Sequence, residues 1–272
     1  MGSLGFLWAQ GKGFGYWSDA SSTDKIRDLL DCYNLKKWGW VIYRCTYGND
    51  SAWQQFLQQL TDYQTQEVLR RRNNADDLVP SYNWIVIKDP ATLDGATKDE
   101  VRRRFKKLRT SLVKDEVPDN LEDYKKRRLP SECPRYNFCI HVGSEAVESV
   151  LREGVPYNGN SGPTTSHVNL IRADDAWDVP DFDRFDWAQH KAGKQAKKKR
   201  RREWRIRSTE KNDDESEDDE YDHREAEIEG CRLYDVGWTK VRADSLIYAY
   251  SVLQKVWLWR AFYKRPPQVM EC

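Results

Sequence analysis

The chain has 272 residues, 39% of them hydrophobic and 33% charged, with a formal net charge of +1. That length can bury one sizeable core or two small ones, and the near-zero net charge excludes a global basic field of the kind that drives non-specific nucleic-acid binding. No apolar run approaches the roughly 20 residues that span a bilayer, and Gly5-Phe6-Leu7-Trp8-Ala9 is too short for the apolar stretch of a signal peptide.

An intracellular, cytoplasmic protein with no membrane partner is therefore expected. The cysteines (Cys32, Cys45, Cys133, Cys139, Cys231, Cys272) form no CxxC pair and no metal-ligand spacing with the histidines. Free thiols, no metal and no cofactor are the expectation.

The first twenty residues, Gly- and Ser-rich with aromatics, read as an irregular arm. Thr23-Asp24 caps a short helix carrying Ile26, Leu29, Leu30 and Tyr33. Trp38–Tyr47 is apolar, aromatic and β-branched, the pattern of a buried strand. Turn and cap chemistry at Gly48-Asn49-Asp50 then leads into a helix from about Ser51 to Arg72, with Trp53, Phe56, Leu57, Leu60 and Tyr63 at helical spacing. A strand that ends on Arg44, Thr46 and Tyr47 just before a helix N-terminus suits anions. The structural alternative is a core strand with a Trp-rich face.

Trp84–Ile87 is a second strand, ending at Asp89-Pro90. Thr97 and Glu100 have the spacing of a capping box. The helix they open buries Val101, Phe105, Leu108 and Leu112 and is basic elsewhere, through Arg102, Arg103, Arg104, Lys106, Lys107 and Arg109. Residues 117–134 read as a loop with a short charged helix. A third strand is expected over Arg135–Val142, then a helix capped by Ser144 and stopped by Gly154, a turn-rich loop at 158–163 and a fourth strand at Val168–Ile171. Tyr234–Val241 is a fifth strand, and Ala243 to about Tyr263 a terminal helix with Leu246, Tyr250, Leu253 and Trp257 inward.

The order of elements predicts one α+β domain over 1–272: an α/β sandwich with a mixed β-sheet, ferredoxin-like βαβ segments and covering helices. A doubly wound parallel α/β sheet is the runner-up. Gly11-Lys12-Gly13-Phe14-Gly15 neither follows a strand nor opens a helix, so no P-loop or dinucleotide fingerprint is present.

Residues 191–229 form a charged insertion within the domain. A basic run (Lys197, Lys198, Lys199, Arg200, Arg201, Arg202) precedes an acidic block from Glu210 to Glu229. Such blocks bury too little apolar surface to offset ordering entropy, so a flexible insertion is expected. The basic run reads as a nuclear localisation signal, as an RNA contact, or as a tolerated surface insertion with no role.

Period-two alternation on the third strand places Arg135, Asn137, Cys139 and His141 on one face. Cys139 and His141 are the best nucleophile–base pair in the chain, although about 7 Å of strand separates them. A small buried thiol beside a hydrogen-bonded imidazole is the structural alternative. Asp89 and Asp94 flank a Pro-containing loop, where carboxylates bind ligands but also serve as ordinary turn residues.

The run Trp38-Gly39-Trp40-Val41-Ile42-Tyr43-Arg44-x-Thr46-Tyr47 is similar to a widespread family of ascomycete fungal proteins. The likeness continues through Asp89, Leu93-Asp94-Gly95-Ala96 with Val101-Arg102, Pro134-Arg135-Tyr136, Val236-Gly237-Trp238 and Arg265-Pro266-Pro267. It spans most of the chain outside the charged stretch near 190–229.

That family includes the arginine-containing cyclodipeptide synthases of fungal secondary metabolism, which condense two aminoacyl-tRNAs into a diketopiperazine. The resemblance implies arginyl-tRNA and a second charged tRNA as partners. An acidic group must then meet the guanidinium, and Asp89 is the first choice, with Asp94 and Asp50 behind it. Tyr47 or His141 would move the proton, and Cys139 would accept an aminoacyl group if the route is covalent. Arg44 or Arg135 would stabilise developing negative charge. Arg102, Arg103 and the run 197–202 would hold tRNA phosphates. The rival reading is a non-enzymatic nuclear RNA- or protein-binding module.

Overall fold

The computed structural model describes residues 20–155, 166–173, 225–255 and 258–270. The expected N-terminal arm, the loop at 158–163 and the basic run 197–202 lie outside them. The chain divides into two compact units, Met1–Trp177 with Gly237–Cys272, and Asp178–Val236. The described part of the second unit includes a tight turn in which Ile228 and Cys231 exchange backbone hydrogen bonds of 3.0 and 2.9 Å. Residues 225–229, expected in the flexible insertion, thus belong to an ordered stretch.

In the first unit, α1 (Ser22–Tyr33) starts at Ser21, whose hydroxyl accepts the Asp24 N–H, two residues ahead of the expected cap. It ends on Asn34 at φ 48, a left-handed position that Asn tolerates. Strand β1 (Val41–Arg44) is buried along its whole length. Asn49 then caps α2 (Asp50–Asp62) by accepting the Ala52 N–H at 2.9 Å. Trp53, Phe56 and Leu60 form its buried stripe. The expected helix continues to Arg72, but as a π-helical segment, Tyr63–Arg72.

Strand β2 (Ile85–Ile87) and the single turn α3 (Pro90–Leu93) lead to α4 (Lys98–Glu116). The capping box at its start is complete: Thr97 accepts the Glu100 N–H, and Glu100 accepts the Thr97 N–H. After α5 (Asp123–Glu132), Pro134 opens a helical turn, α6 (Pro134–Asn137), and β3 begins only at Phe138 (Phe138–Val142). Proline's fixed φ suits the first position of a helix, so the expected strand loses its first three residues.

Helix α7 (Ser144–Glu153) follows, with Gly143 rather than Ser144 at its cap position and Gly154 ending it at φ 71. The remaining strands are β4 (His167–Arg172), β5 (Trp238–Arg242) and, unforeseen, β6 (Val269–Met270). Between β5 and β6 the expected long helix is broken into a 3₁₀ turn, Ala243–Ser245, then α8 (Leu246–Val252) and α9 (Trp259–Phe262). Six of the seven α8 residues are buried, so the segment lies inside the unit and not along one face of it.

The sheet order is β2-β1-β3-β4-β5-β6. β1 is parallel to β2 and β3, β4 is antiparallel to β3 and β5, and β6 is parallel to β5. This is the expected mixed sheet with helices over it. Aromatic packing dominates one region of the core: Trp38 and Trp40 meet Tyr250 at 5.4 and 5.0 Å, and Phe138 stacks on Trp259 at 5.5 Å. Such pairs add about 0.5–1.5 kcal/mol each beyond area burial.

The connection after β1 returns through α2 to β2, and the next passes through α4 to β3 on the other side of β1. Strand order therefore reverses between β1 and β3. In open α/β sheets ligands bind at the carboxyl ends of the strands beside such a reversal.

Candidate functional site

At the carboxyl end of β1 the Arg44 side chain is buried. Its Nε donates to the Thr46 carbonyl at 2.8 Å and its Nη2 to Asp50 Oδ1 at 2.5 Å. The guanidinium lies 4.5 Å from the Tyr47 ring centre and 5.0 Å from that of Trp53. Arg44 thus ties the strand end to the start of α2 and packs against Tyr47; it is a positioning residue here, not an open anion seat.

Tyr47 is half-buried, and its hydroxyl oxygen accepts the Asp89 N–H at 2.7 Å. Burial pushes its phenol above the ordinary value of 10.0, so it keeps its proton at neutral pH. It can donate a hydrogen bond but is a poor proton acceptor. Asp89 takes the Thr92 hydroxyl on Oδ2, and its backbone carbonyl accepts the N–H groups of Thr92 and Leu93. Its carboxylate has no cationic partner among the described residues. Asp94 is exposed, and the following Gly95 N–H bonds the Cys45 carbonyl at 3.1 Å. Both carboxylates therefore border the end of β1.

Segment 94–97 also reaches β3. His141 Nε2 donates to the Ala96 carbonyl at 2.9 Å, which leaves Nδ1 as the acceptor facing the Asn169 amide nitrogen at 3.5 Å. His141, Asn169 and Lys240 sit opposite one another in register across β3, β4 and β5, all buried. Asn169 Oδ1 has no hydrogen-bond partner among the described residues. Lys240 Nζ bonds the Glu145 carboxylate, which lies 3.7 Å from His167 Nε2. Lys240 holds the Glu145 carboxyl below its ordinary value of 4.5.

Sequence reasoning finds only His141 of this polar row. Its signal is a lysine inside the fifth apolar strand and His167 and Asn169 two apart on the fourth.

Besides Arg44, three expected site residues do not keep their roles. Arg135 is not on β3 but on α6, fully buried, with all five N–H donors engaged. They meet both oxygens of Glu116 (2.7 and 2.9 Å), the carbonyls of Gly39 and Asn83 (3.1 and 2.9 Å) and Asn83 Oδ1 (3.0 Å). Nothing is left for a substrate anion. Arg102 is likewise buried, bonded to Asp99 and to the carbonyls of Arg172 and Gly237 (2.9 and 3.0 Å), so it is no phosphate contact.

Cys139 is sealed in the core, and burial pushes its thiol far above 9.0. A thiol that stays protonated and inaccessible is no nucleophile. Arg103 is exposed. The described residues contain no cluster of three or more His, Cys, Asp or Glu side chains arranged to hold a metal, and no helix long and apolar enough to cross a membrane.

The structure therefore brings together Arg44, Tyr47, Asp50, Asp89 and Asp94 at the end of β1, with His141 joined to them through segment 94–97. No protein-family model, curated protein or solved structure matches this chain.

Proposed function

We propose that the chain is a tRNA-dependent cyclodipeptide synthase of fungal secondary metabolism that uses arginyl-tRNA and a second aminoacyl-tRNA. The observation that carries this reading is Asp89: a carboxylate without a cationic partner among the described residues, held beside a protonated tyrosine hydroxyl at the carboxyl ends of β1 and β2. A guanidinium fits such a carboxylate, and Asp94 stands nearby to share it.

An aminoacyl ester is already activated, so the reaction needs positioning and charge stabilisation. The amino group of one aminoacyl-tRNA attacks the ester carbonyl of the other. The tetrahedral oxyanion takes a hydrogen bond from Tyr47, and collapse breaks the ester C–O bond. The amine loses one proton as the departing tRNA hydroxyl gains one. Attack of the second amine on the remaining ester closes the ring and frees the second tRNA. With Cys139 buried, this direct route replaces an acyl-thioester.

The test is mass spectrometry of a host expressing the chain. An arginine-containing diketopiperazine is expected, and Asp89→Asn should lower it on the order of 10- to 100-fold, the loss of one charge-assisted hydrogen bond of about 1.5–3 kcal/mol. No such product from a well-folded parent chain refutes the enzymatic reading.

The second reading is a non-enzymatic interaction module. It is favoured by one observation: Arg44, Arg102 and Arg135 all spend their donors inside the protein.

A further inference from the structure

Helix α4 turns by about 100° and rises about 1.5 Å per residue, so its faces can be assigned. Val101, Phe105 and Leu112 are buried and share one side. Arg103, Lys107, Thr110 and Lys114 are exposed and fall within an arc of about 60° on the opposite side, spread over about 17 Å of helix.

The cations of this stripe form no close ion pair; the nearest acidic influence is Glu100, whose carboxyl the Arg103 charge helps to lower. Arg103, Lys107 and Lys114 take part in no ion pair among the described residues. The carboxylates of the first turn are engaged elsewhere, Asp99 with Arg102 and Glu100 in the capping box. At the far end Glu116 is engaged with Arg135.

A helix face that serves only as a solvated surface gains from Glu four residues before Lys or Arg. Beyond its first turn this face has no such pair and sets Arg103 and Lys107 four apart, a like-charge spacing that costs a few tenths of a kcal/mol. The stripe is also rigidly aimed. Arg102 and Arg109, both along one border of it, bond the carbonyls of Arg172, Gly237 and Ala173, which fastens α4 to the sheet. The segment just before α4 bonds Cys45 and His141, so the helix starts at the candidate site.

We propose that Arg103, Lys107 and Lys114, with the Thr110 hydroxyl between them, form the contact for the phosphate backbone of tRNA. This deepens the tRNA-dependent reading above and rests on it for the identity of the nucleic acid. A row of exposed cations outside any close ion pair, opposite the core of a fixed helix, recognises a polyanion by charge and not by sequence. Phosphates of one strand recur every 3.4 Å along a duplex axis, so the stripe spans about five.

The experiment uses the full chain and deacylated tRNA, with affinity measured by fluorescence polarisation across a salt series. R103A/K107A/K114A should reduce the slope of log K against log salt by about two to three, at about 0.7–0.9 for each phosphate no longer neutralised. The control K36A/K37A removes exposed charge from another surface and should leave the slope within about one of the parent value.

Thermal melting of each variant reports folding, and all three substituted residues are exposed. An unchanged slope in the triple variant overturns the proposal. So does an equal fall in the control, which would mark a general effect of net charge and not this stripe. Diketopiperazine formation is scored separately. Product without a slope change sinks the phosphate-binding stripe and leaves the enzyme standing, whereas a slope change without product does the reverse.

Discussion

Arg135 offers the sharpest test of the site's boundaries, because sequence and geometry assign it opposite roles. In the first it offers a guanidinium to a substrate anion. In the second it is a clamp, fully buried, with five hydrogen bonds that join α6 to Glu116 on α4 and to Gly39 and Asn83. Arg135→Met keeps much of the volume and removes every donor. It leaves the Glu116 carboxylate, whose side chain is only 13% exposed, with the Tyr136 hydroxyl at 3.2 Å but no cation, and it strands two carbonyls.

Removing one partner of a buried pair costs about 3–5 kcal/mol. At about 2–4 °C per kcal/mol for a chain of this size, the melting temperature should fall on the order of 6–20 °C. Urea denaturation of Arg135→Met, Glu116→Gln and the double variant gives the coupling. The double variant should lose less than the sum of the single ones, because it no longer buries a lone charge. If Arg135→Met keeps the parent midpoint while tRNA or substrate binding disappears, the clamp assignment is wrong and the anion role returns.

Two further outcomes concern stability alone. Burial pushes the Cys45 thiol up to about 12 from an ordinary 9.0, and the thiols of Cys32 and Cys133 up to about 11. The unfolded thiols ionise above pH 9 while the folded ones hold their protons. Their contribution is fully present below pH 9 and is lost as pH rises from 9 through 11–12, by about 1.4 kcal/mol per unit for each thiol. Cys45→Ala should therefore flatten the fall in urea midpoint between about pH 8.5 and 10.5, and an unchanged pH dependence would refute the burial argument. Thr97→Ala should cost about 0.5–2 kcal/mol by opening the capping box of α4. A loss under about 0.2 kcal/mol by the same assay would show that the helix start is held by the tertiary contacts of segment 94–97 instead.

What is legible in the sequence is local. Thr97 and Glu100 announce the start of α4 because both halves of a capping box lie within four residues. β1 and β2 stand out because buried parallel strands read as unbroken apolar runs. The breaks are tertiary in origin. Pro134 turns the head of the expected third strand into α6, and the enclosure of α8 removes the one-sided pattern that a surface helix would show. Gly39 illustrates the same limit. It looks like a spacer between tryptophans, yet it holds φ 114, and a Cβ there would lie 2.8 Å from the Asn83 carbonyl. The need for glycine comes from a residue more than forty positions away.

The arginines extend that limit to the site itself. In sequence, Arg44, Arg102, Arg103 and Arg135 are four equivalent cations beside apolar runs, and each suits an anion. In the fold, three of them meet carbonyls and carboxylates of the chain within 3.1 Å, and Arg135 has all five of its donors engaged. Arg103, on the solvent arc of α4, stands apart from those three. Whether an arginine recognises a ligand or holds the protein together depends on whether an acceptor of the chain arrives first. Those acceptors come from residues as distant as Gly237 is from Arg102, a separation that no local pattern encodes. The carboxylates sort by the same rule in reverse: Asp50 and Asp99 are claimed by nearby arginines, while Asp89 is not. Under the reading proposed here, the groups that internal pairing leaves over, Asp89 and the outer face of α4, are the ones that would meet a ligand.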